Sequence, residues 1–348
     1  MTGCYDLIIG TGGIGTGLLF ITDENRTLGR NESRLVRLSA AKDYCKQHIV
    51  LYYSAALLAG KARVCPIGCV GQDAYGHALL GEMKRSGMDT EYVECLDNLP
   101  TTISFCLQYP DKDGCNITAD NGASGAVSAS QVTQALENLR PDQRSIALAL
   151  PEVSIDARLA MLKQAKARGA YCVLSVPEAE AKSFIDAGAF ADCDLLAVNE
   201  REAVALVSTE LHDQALVRTL YEKIASVNPT ISLLVTCGKA GAYTAQNGNV
   251  EFVPSLNAKV VNTTGAGDAF LGSLVAGLAL GLPLQKGCSD EKFAQSPLKS
   301  AAELGALCAG MAIQSEDSIA YTVTRKGVAD YIAANCWRQT NEFEQIGL

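Results

Sequence analysis

NTTGAGDAFLGSLVAGLALG, residues 262–281, decides the reading of this chain, because a glycine-rich turn opens there directly into a long apolar helix. At such a junction the backbone N–H groups of Gly265, Ala266 and Gly267 have no carbonyl partner within the helix, and the aligned peptide dipoles favour an anion. Asp268 stands at the same terminus, where a carboxylate beside a phosphate-binding turn takes a proton from an attacking hydroxyl. Taken alone, the turn allows the plainer alternative that Asp268 is an acidic residue favoured by the dipole. The apolar run from Ala269 to Leu284 is broken by Gly272, Ser273, Gly277, Gly281 and Pro283 and is short for a membrane span.

Upstream, short apolar runs alternate with helical stretches, the pattern of an α/β domain with a largely parallel sheet. Strands are expected at Tyr5–Gly10, Ala62–Val70, Ser145–Leu150, Tyr171–Val176, Leu195–Val198 and Leu233–Thr236. Helices are expected at Asp43–Ala59, Tyr75–Ser86, Ser128–Leu139, Ile155–Arg168, Glu200–Val207 and Gln214–Ser226, where apolar residues recur every three or four positions. Two regions break the alternation: Gly17 to Leu38, polar and glycine-interrupted, and Thr101 to Ala119, which reads as antiparallel strands around a turn at Asp111–Gly114. Gly287–Ser300 reads as a polar connector.

Composition removes several function classes. The 348 residues carry 29 Lys and Arg against 38 Asp and Glu, a net charge of −9, so a nucleic-acid role would need a local basic patch. The 13 cysteines are scattered and odd in number, and the start MTGCYDLIIG has no basic leader, which predicts reduced cysteines in a cytoplasmic protein. Cys65 and Cys69, the tightest pair, lack zinc-knuckle spacing, and His48, His77 and His212 form no ligand pattern.

Residues 262–281 closely resemble the C-terminal signature of the PfkB/ribokinase family of carbohydrate kinases, D-T-x-G-A-G-D. Other landmarks follow in the family's order. TCGKAGAYT at 236–244 is similar to its nucleotide-contacting turn, with Thr236, Gly238 and Gly241 in the matching places. NERE at 199–202 matches N-x-x-E, which implies that Asn199 and Glu202 lie near magnesium and the phosphates, the metal held through water. IGCVGQDAYG at 67–76 resembles G-x-V-G-x-D-x-x-G, and TTISF with NGAS is similar to the family's lid strand and G-A-N turn. The resemblance implies one ribokinase-like three-layer α/β/α sandwich over residues 1–348, with a small β-sheet lid from excursions at about 16–40 and 99–120. It implies transfer of the ATP γ-phosphoryl group to a sugar-like hydroxyl, and a possible homodimer through lid strands.

The chain also departs from the family. Asn262 replaces the Asp that supports a monovalent-cation site, and an amide is a weaker cation ligand than a carboxylate, so potassium activation is in doubt. Gly15 falls where a sugar-gripping Asp is usual, and the substrate motif G-G-x-x-x-N, expected near Lys46, Gln47 and Leu51, is not matched. Lys46 remains a candidate substrate contact, and Glu152 aligns with a position that reaches substrate in the family. These gaps keep a second reading open, a degenerate member that senses a nucleotide or metabolite. A third, weaker one is an NAD-dependent enzyme using the turn at residues 10–15, GTGGIG, which fits G-x-G-x-x-G but is followed by a charged, glycine-broken stretch rather than a clean helix.

Between Arg26 and Lys46 stand six cations, Arg26, Arg30, Arg34, Arg37, Lys42 and Lys46, against Glu32 and Asp43. Arg26, Arg30 and Arg34 recur every four residues and would share one face of a strand or a helix. Either a solvated face results, or Arg30 and Arg34 meet an anionic acceptor such as a sugar acid or sugar phosphate.

Overall fold

Apolar runs such as Leu7–Thr11, Ser145–Ala149 and Leu195–Asn199 offer almost no polar alternation, so they are stable only as strands covered on both faces. The computed structural model describes residues 5–111, 114–288 and 298–334. Its strands are β1 (Leu7–Thr11), β2 (Gly15–Ile21), β3 (Arg37–Tyr44), β4 (Arg63–Gly71), β5 (Val93–Leu96), β6 (Thr102–Gln108), β7 (Gly114–Thr118), β8 (Ser145–Ala149), β9 (Tyr171–Leu174), β10 (Leu195–Asn199), β11 (Ser232–Thr236), β12 (Gly241–Gln246) and β13 (Asn249–Pro254). The helices are α1 (Lys46–Leu58), α2 (Ala74–Arg85), α3 (Ala129–Leu139), α4 (Ile155–Ala167), α5 (Ala181–Asp186), α6 (Glu200–Val207), α7 (Asp213–Ala225), α8 (Ala266–Ala279), α9 (Ala301–Ala312) and α10 (Arg325–Ala334).

Among the described residues a nine-stranded sheet runs β13-β12-β11-β10-β9-β8-β1-β4-β5, parallel except at β12 and β13. One face is packed by α1, α2, α8, α9 and α10 and the other by α3 to α7, which gives the expected three layers. A separate sheet, β3-β2-β6-β7, forms the lid. In it β2 and β6 are parallel while the outer pairs are antiparallel.

Helices α1, α8 and α9 are buried nearly all round, so they lie inside the layer rather than on its surface. Close approach of α1 and α8 depends on Gly272, where a Cβ would fall 2.2 Å from the Val50 carbonyl oxygen. The Gly272 carbonyl in turn accepts from Ser54 Oγ at 3.0 Å.

The structure corrects the sequence reading in two places. The helix expected from Asp43 begins at Lys46, with Cys45 as its N-cap, because Asp43 and Tyr44 complete lid strand β3 opposite Gly17 and Thr16. Helical periodicity of apolar residues does not register a strand end abutting the helix. The turn at residues 10–15 leads into lid strand β2 instead of a helix, so it has no helix N-terminus to hold a dinucleotide pyrophosphate, and the NAD reading falls. Most of the Gly287–Ser300 connector, and positions 112 and 113 of the Asp111–Gly114 turn, lie outside the described residues. The ten cysteines whose state is described are free, and no described helix is long and apolar enough to cross a membrane.

Candidate active site

The Gly-rich turn at residues 262–268 is built as its sequence demands. Gly265 caps α8 with φ +78°, and a Cβ there would lie 2.4 Å from the Ser318 carbonyl oxygen, so neither the backbone nor the space admits a side chain. Ala266 N–H is already engaged, donating to the Thr263 carbonyl at 3.2 Å. The Ala266 amide thus closes the bend that opens α8.

Asp268 sits in the first turn of α8 and binds Lys46 Nζ through Oδ1 at 2.5 Å. Lys46 opens α1, and its backbone N–H donates to Glu152 Oε2 at 3.2 Å. Burial works against the Lys46 charge, but Asp268, Glu202 and Glu152 around it hold its pKa above the usual lysine value. Glu152 follows β8 with φ +72° and lies over Gly13, whose Cβ would fall 2.5 Å from the Glu152 carboxylate. Burial pushes the Glu152 carboxyl up to about 7, reinforced by the Asp268 charge and opposed by a hydrogen bond from Cys45 and by Lys46.

That shift carries a stability signature. A native carboxyl titrating near 7, against 4.5 when unperturbed, holds a proton that the unfolded chain releases between those values, so stability falls as pH rises through that window. Glu152→Gln should therefore raise Tm above about pH 7 and leave it nearly unchanged below about pH 4.5, a difference on the order of 3 kcal/mol. Thermal melts of both proteins at the two pH values check this, and an equal gap at both would remove the buried-carboxyl account.

The remaining candidates line the cleft in front of Asp268. Asn199 and Thr236 are register partners at the carboxyl ends of β10 and β11, where open α/β sheets bind ligands. Asn199 caps α6 in a reciprocal box, accepting from Glu202 N–H at 3.0 Å while Glu202 Oε2 accepts from Asn199 N–H at 2.7 Å. The box fixes both side chains at the rim, and burial raises the Glu202 pKa against the pull of Lys46. Gly238 and Gly241, both at positive φ, shape the turn after β11. Together with Lys46, Lys239, Thr263 and Gly265–Asp268 they bound a cleft of about 830 Å³ whose far wall is apolar, from Leu256, Val260, Ala306, Ala309 and Ile313. A cleft of that size, polar at one end and apolar at the other, is large enough for a nucleotide-sized ligand.

The family model described as pfkB family carbohydrate kinase matches residues 51–325. The chain belongs to that family. This kinase is 28% identical over 274 residues to a protein named ribokinase from Schizosaccharomyces pombe, covering 78% of this chain and 76% of the relative. It superimposes on the structure of ribokinase from Giardia lamblia with a TM-score of 0.76 at 20% identity, over 94% of this chain and 99% of that one. A putative ribokinase II from E. coli, solved in complex with ATP and Mg2+, aligns with a TM-score of 0.71 at 18% identity over 94% and 99% of the two chains.

Two features of the kinase sequence look different once folded. Residues 22–36 form neither strand nor helix, so the fourfold spacing of Arg26, Arg30 and Arg34 sets no common face. Arg26 and Arg34 bind Glu32, at 2.6 and 2.7 Å, and both also pair with Glu24. Arg30 is exposed, and neither Arg30 nor Arg34 lines the cleft. Arg26 and Arg34 are thus paired within their own loop, while Lys42 and Lys46 pair with Glu82 of α2 and Asp268 of α8. Asn262 is buried, and its Nδ2 donates to the Glu316 carbonyl at 2.8 Å while its Oδ1 accepts from Thr264 N–H and from Gln108 Nε2 of lid strand β6. Lys46 and Asp268 lie 222 positions apart, and spacing within the sequence holds no signal of their pairing.

Proposed function

We propose that this kinase transfers the γ-phosphoryl group of Mg–ATP to a hydroxyl of a small sugar-like acceptor. The observation that carries the reading is Asp268, set at the amide-rich start of α8 and 2.5 Å from Lys46 at the nucleotide-sized cleft. The acceptor oxygen attacks the γ-phosphorus as its proton passes to Asp268, and the bond from that phosphorus to the β–γ bridging oxygen breaks, releasing ADP. The amides of Gly265, Gly267 and Asp268, with Lys46, face the charge that spreads over the moving phosphoryl group. No cluster of three or more metal-ligating side chains occurs among the described residues, which suits a magnesium ion bound mainly by phosphate oxygens and water. Asn199 and Glu202 would hold that hydrated ion at the rim, and when bound it neutralises phosphate charge.

The acceptor is sugar-like on the family's evidence, and the loop arginines give no support to an anionic one. Asn262 spans the gap to the Glu316 carbonyl with its own N–H, where a carboxylate would need a cation, so the reading includes no potassium requirement. The lid's outer face is apolar: Phe20 stacks on Phe105 at 6.2 Å, with Leu38 and Ile117 as their register partners. Phe105, Leu38 and Ile117 are 48%, 58% and 70% exposed, a patch suited to a second copy of the lid in a homodimer.

One assay series tests the whole reading. ADP release is measured with D-ribose, D-fructose, ribonucleosides, sugar acids and sugar phosphates, in potassium and in tetramethylammonium buffers, with the mass of the preparation read by light scattering. A neutral sugar should be the best acceptor, in either buffer, from a dimer. Silence across the panel with tight ATP binding would replace the kinase reading with the sensor.

A further inference from the structure

Strand alternation should give the lid an apolar underside, yet the inward positions of β6 are Thr102, Ser104, Cys106 and Gln108, all polar or thiol-bearing. Facing Thr102 and Ser104 on β2 are Gly15 and Gly17, whose missing side chains leave room taken up by Cys45 and Asp43, while Leu19 and Ile21 pair with Cys106 and Gln108. Asp43 fills part of that room from β3. It pairs in register with Gly17, and its carboxylate lies across the glycine so closely that a Cβ at 17 would be 2.4 Å from Oδ2. Asp43 is 6% exposed. Among the described residues its Oδ2 accepts from the Cys106 thiol alone, at 2.9 Å, and its Oδ1 has no partner.

A buried carboxylate held by one weak thiol donor is costly to the fold, and a donor group that completes it is correspondingly favoured. The surroundings say what kind of donor. The Asp43 and Glu152 charges both act on the thiols of Cys106 and of Cys45, two residues on, and Lys46 next links to both Glu152 and Asp268. Asp43 therefore stands at one end of a run of polar groups that includes two further carboxyls, Glu152 and Asp268, and one cation that is already paired. An anionic ligand would meet net repulsion there, whereas hydroxyl donors would be satisfied.

Resting on the kinase reading above, we propose that Asp43 is the acceptor-gripping carboxylate of this enzyme, reaching down from lid strand β3 to accept a hydrogen bond from a hydroxyl of a neutral polyol. It supplies from the lid the carboxylate that position 15, a glycine, does not. Because Asp43 belongs to the lid and Asp268 to α8, a polyol held by both ties closure of the lid to alignment of the reacting hydroxyl.

The test is direct binding, independent of turnover. Wild type, Asp43→Asn and Asp43→Ala are titrated calorimetrically with D-ribose, D-fructose and 2-deoxy-D-ribose, with ATP binding and Tm measured alongside. Asp43→Asn should weaken binding of the preferred polyol about ten- to a hundredfold, the loss of one charge-assisted hydrogen bond, with ATP affinity unchanged. A mono-deoxy analogue lacking the gripped hydroxyl should bind wild type weakly and lose little more in the variant. Unchanged polyol affinity in both variants overturns the assignment of Asp43 while leaving the kinase reading in place. Equal losses of ATP and polyol affinity with a lowered Tm overturn it in favour of a purely structural carboxylate. Polyol binding that depends on Asp43 without any ADP release sinks the kinase reading alone, and a wild type that binds no polyol sinks both.

Discussion

Asp268→Asn is expected to bind ATP as tightly as the parent and to turn over about a hundred- to ten-thousandfold more slowly, the usual worth of general-base assistance. The amide matches the carboxylate in shape, so the start of α8 and its amides should persist, and the KM for ATP should hardly move. What disappears is the acceptor for the hydroxyl proton, an interaction made as the transition state forms, which is why kcat carries the loss. The measurement is steady-state ADP release with the best sugar acceptor, after a single-turnover experiment has shown that chemistry limits the rate. Retention of more than about a tenth of wild-type turnover would remove Asp268 from proton transfer and return it to the bland role of a helix-terminal acid.

Lys46→Met should be the next most damaging change. Lys46 stays charged across the working pH range because the carboxyl groups around it outweigh its burial. That charge lies 2.5 Å from the proposed base and lines the same cleft, where on the proposed reading it would face both the nucleotide phosphate and the reacting hydroxyl. Removing a fixed positive group from such a site costs about a hundred- to a thousandfold in kcat. Methionine keeps the apolar stem, which separates loss of charge from loss of packing. Here the KM for ATP should rise as well, which distinguishes the variant from Asp268→Asn. A fall in kcat below about tenfold would show that Lys46 serves only to seat Asp268.

Much of this was legible in the sequence, for identifiable reasons. The buried parallel strands announce themselves as unbroken apolar runs, and Gly265 to Asp268 carry a local geometry that any fold must honour. The four residues 199–202 fold as a capping box, so the pairing of Asn199 with Glu202 is a local device that a short stretch of sequence carries whole. Properties that depend on distant chain were not legible. Arg34 looks available until Glu24 and Glu32 fold onto it, and a count of charges starting at Arg26 leaves Glu24 out. Asp43 was read into a helix because the lid strand ends where the helix begins, so the carboxylate that the structure buries under the lid appeared to be a surface residue. The engaged amide of Ala266 follows from the path of Thr263, which no spacing rule reports.

The contact between Gly272 and the Val50 carbonyl works as a caliper. Val50 lies one helical turn beyond Lys46, and Gly272 one turn beyond Asp268, so the point where the helices touch is equidistant along both from the Lys46–Asp268 ion pair. Any side chain at 272 would open the jaws at their pivot and widen the gap at their tips, where a displacement of one ångström is enough to cost catalysis heavily. Position 272 touches neither nucleotide nor acceptor, yet it sets the span across which the base and the lysine meet.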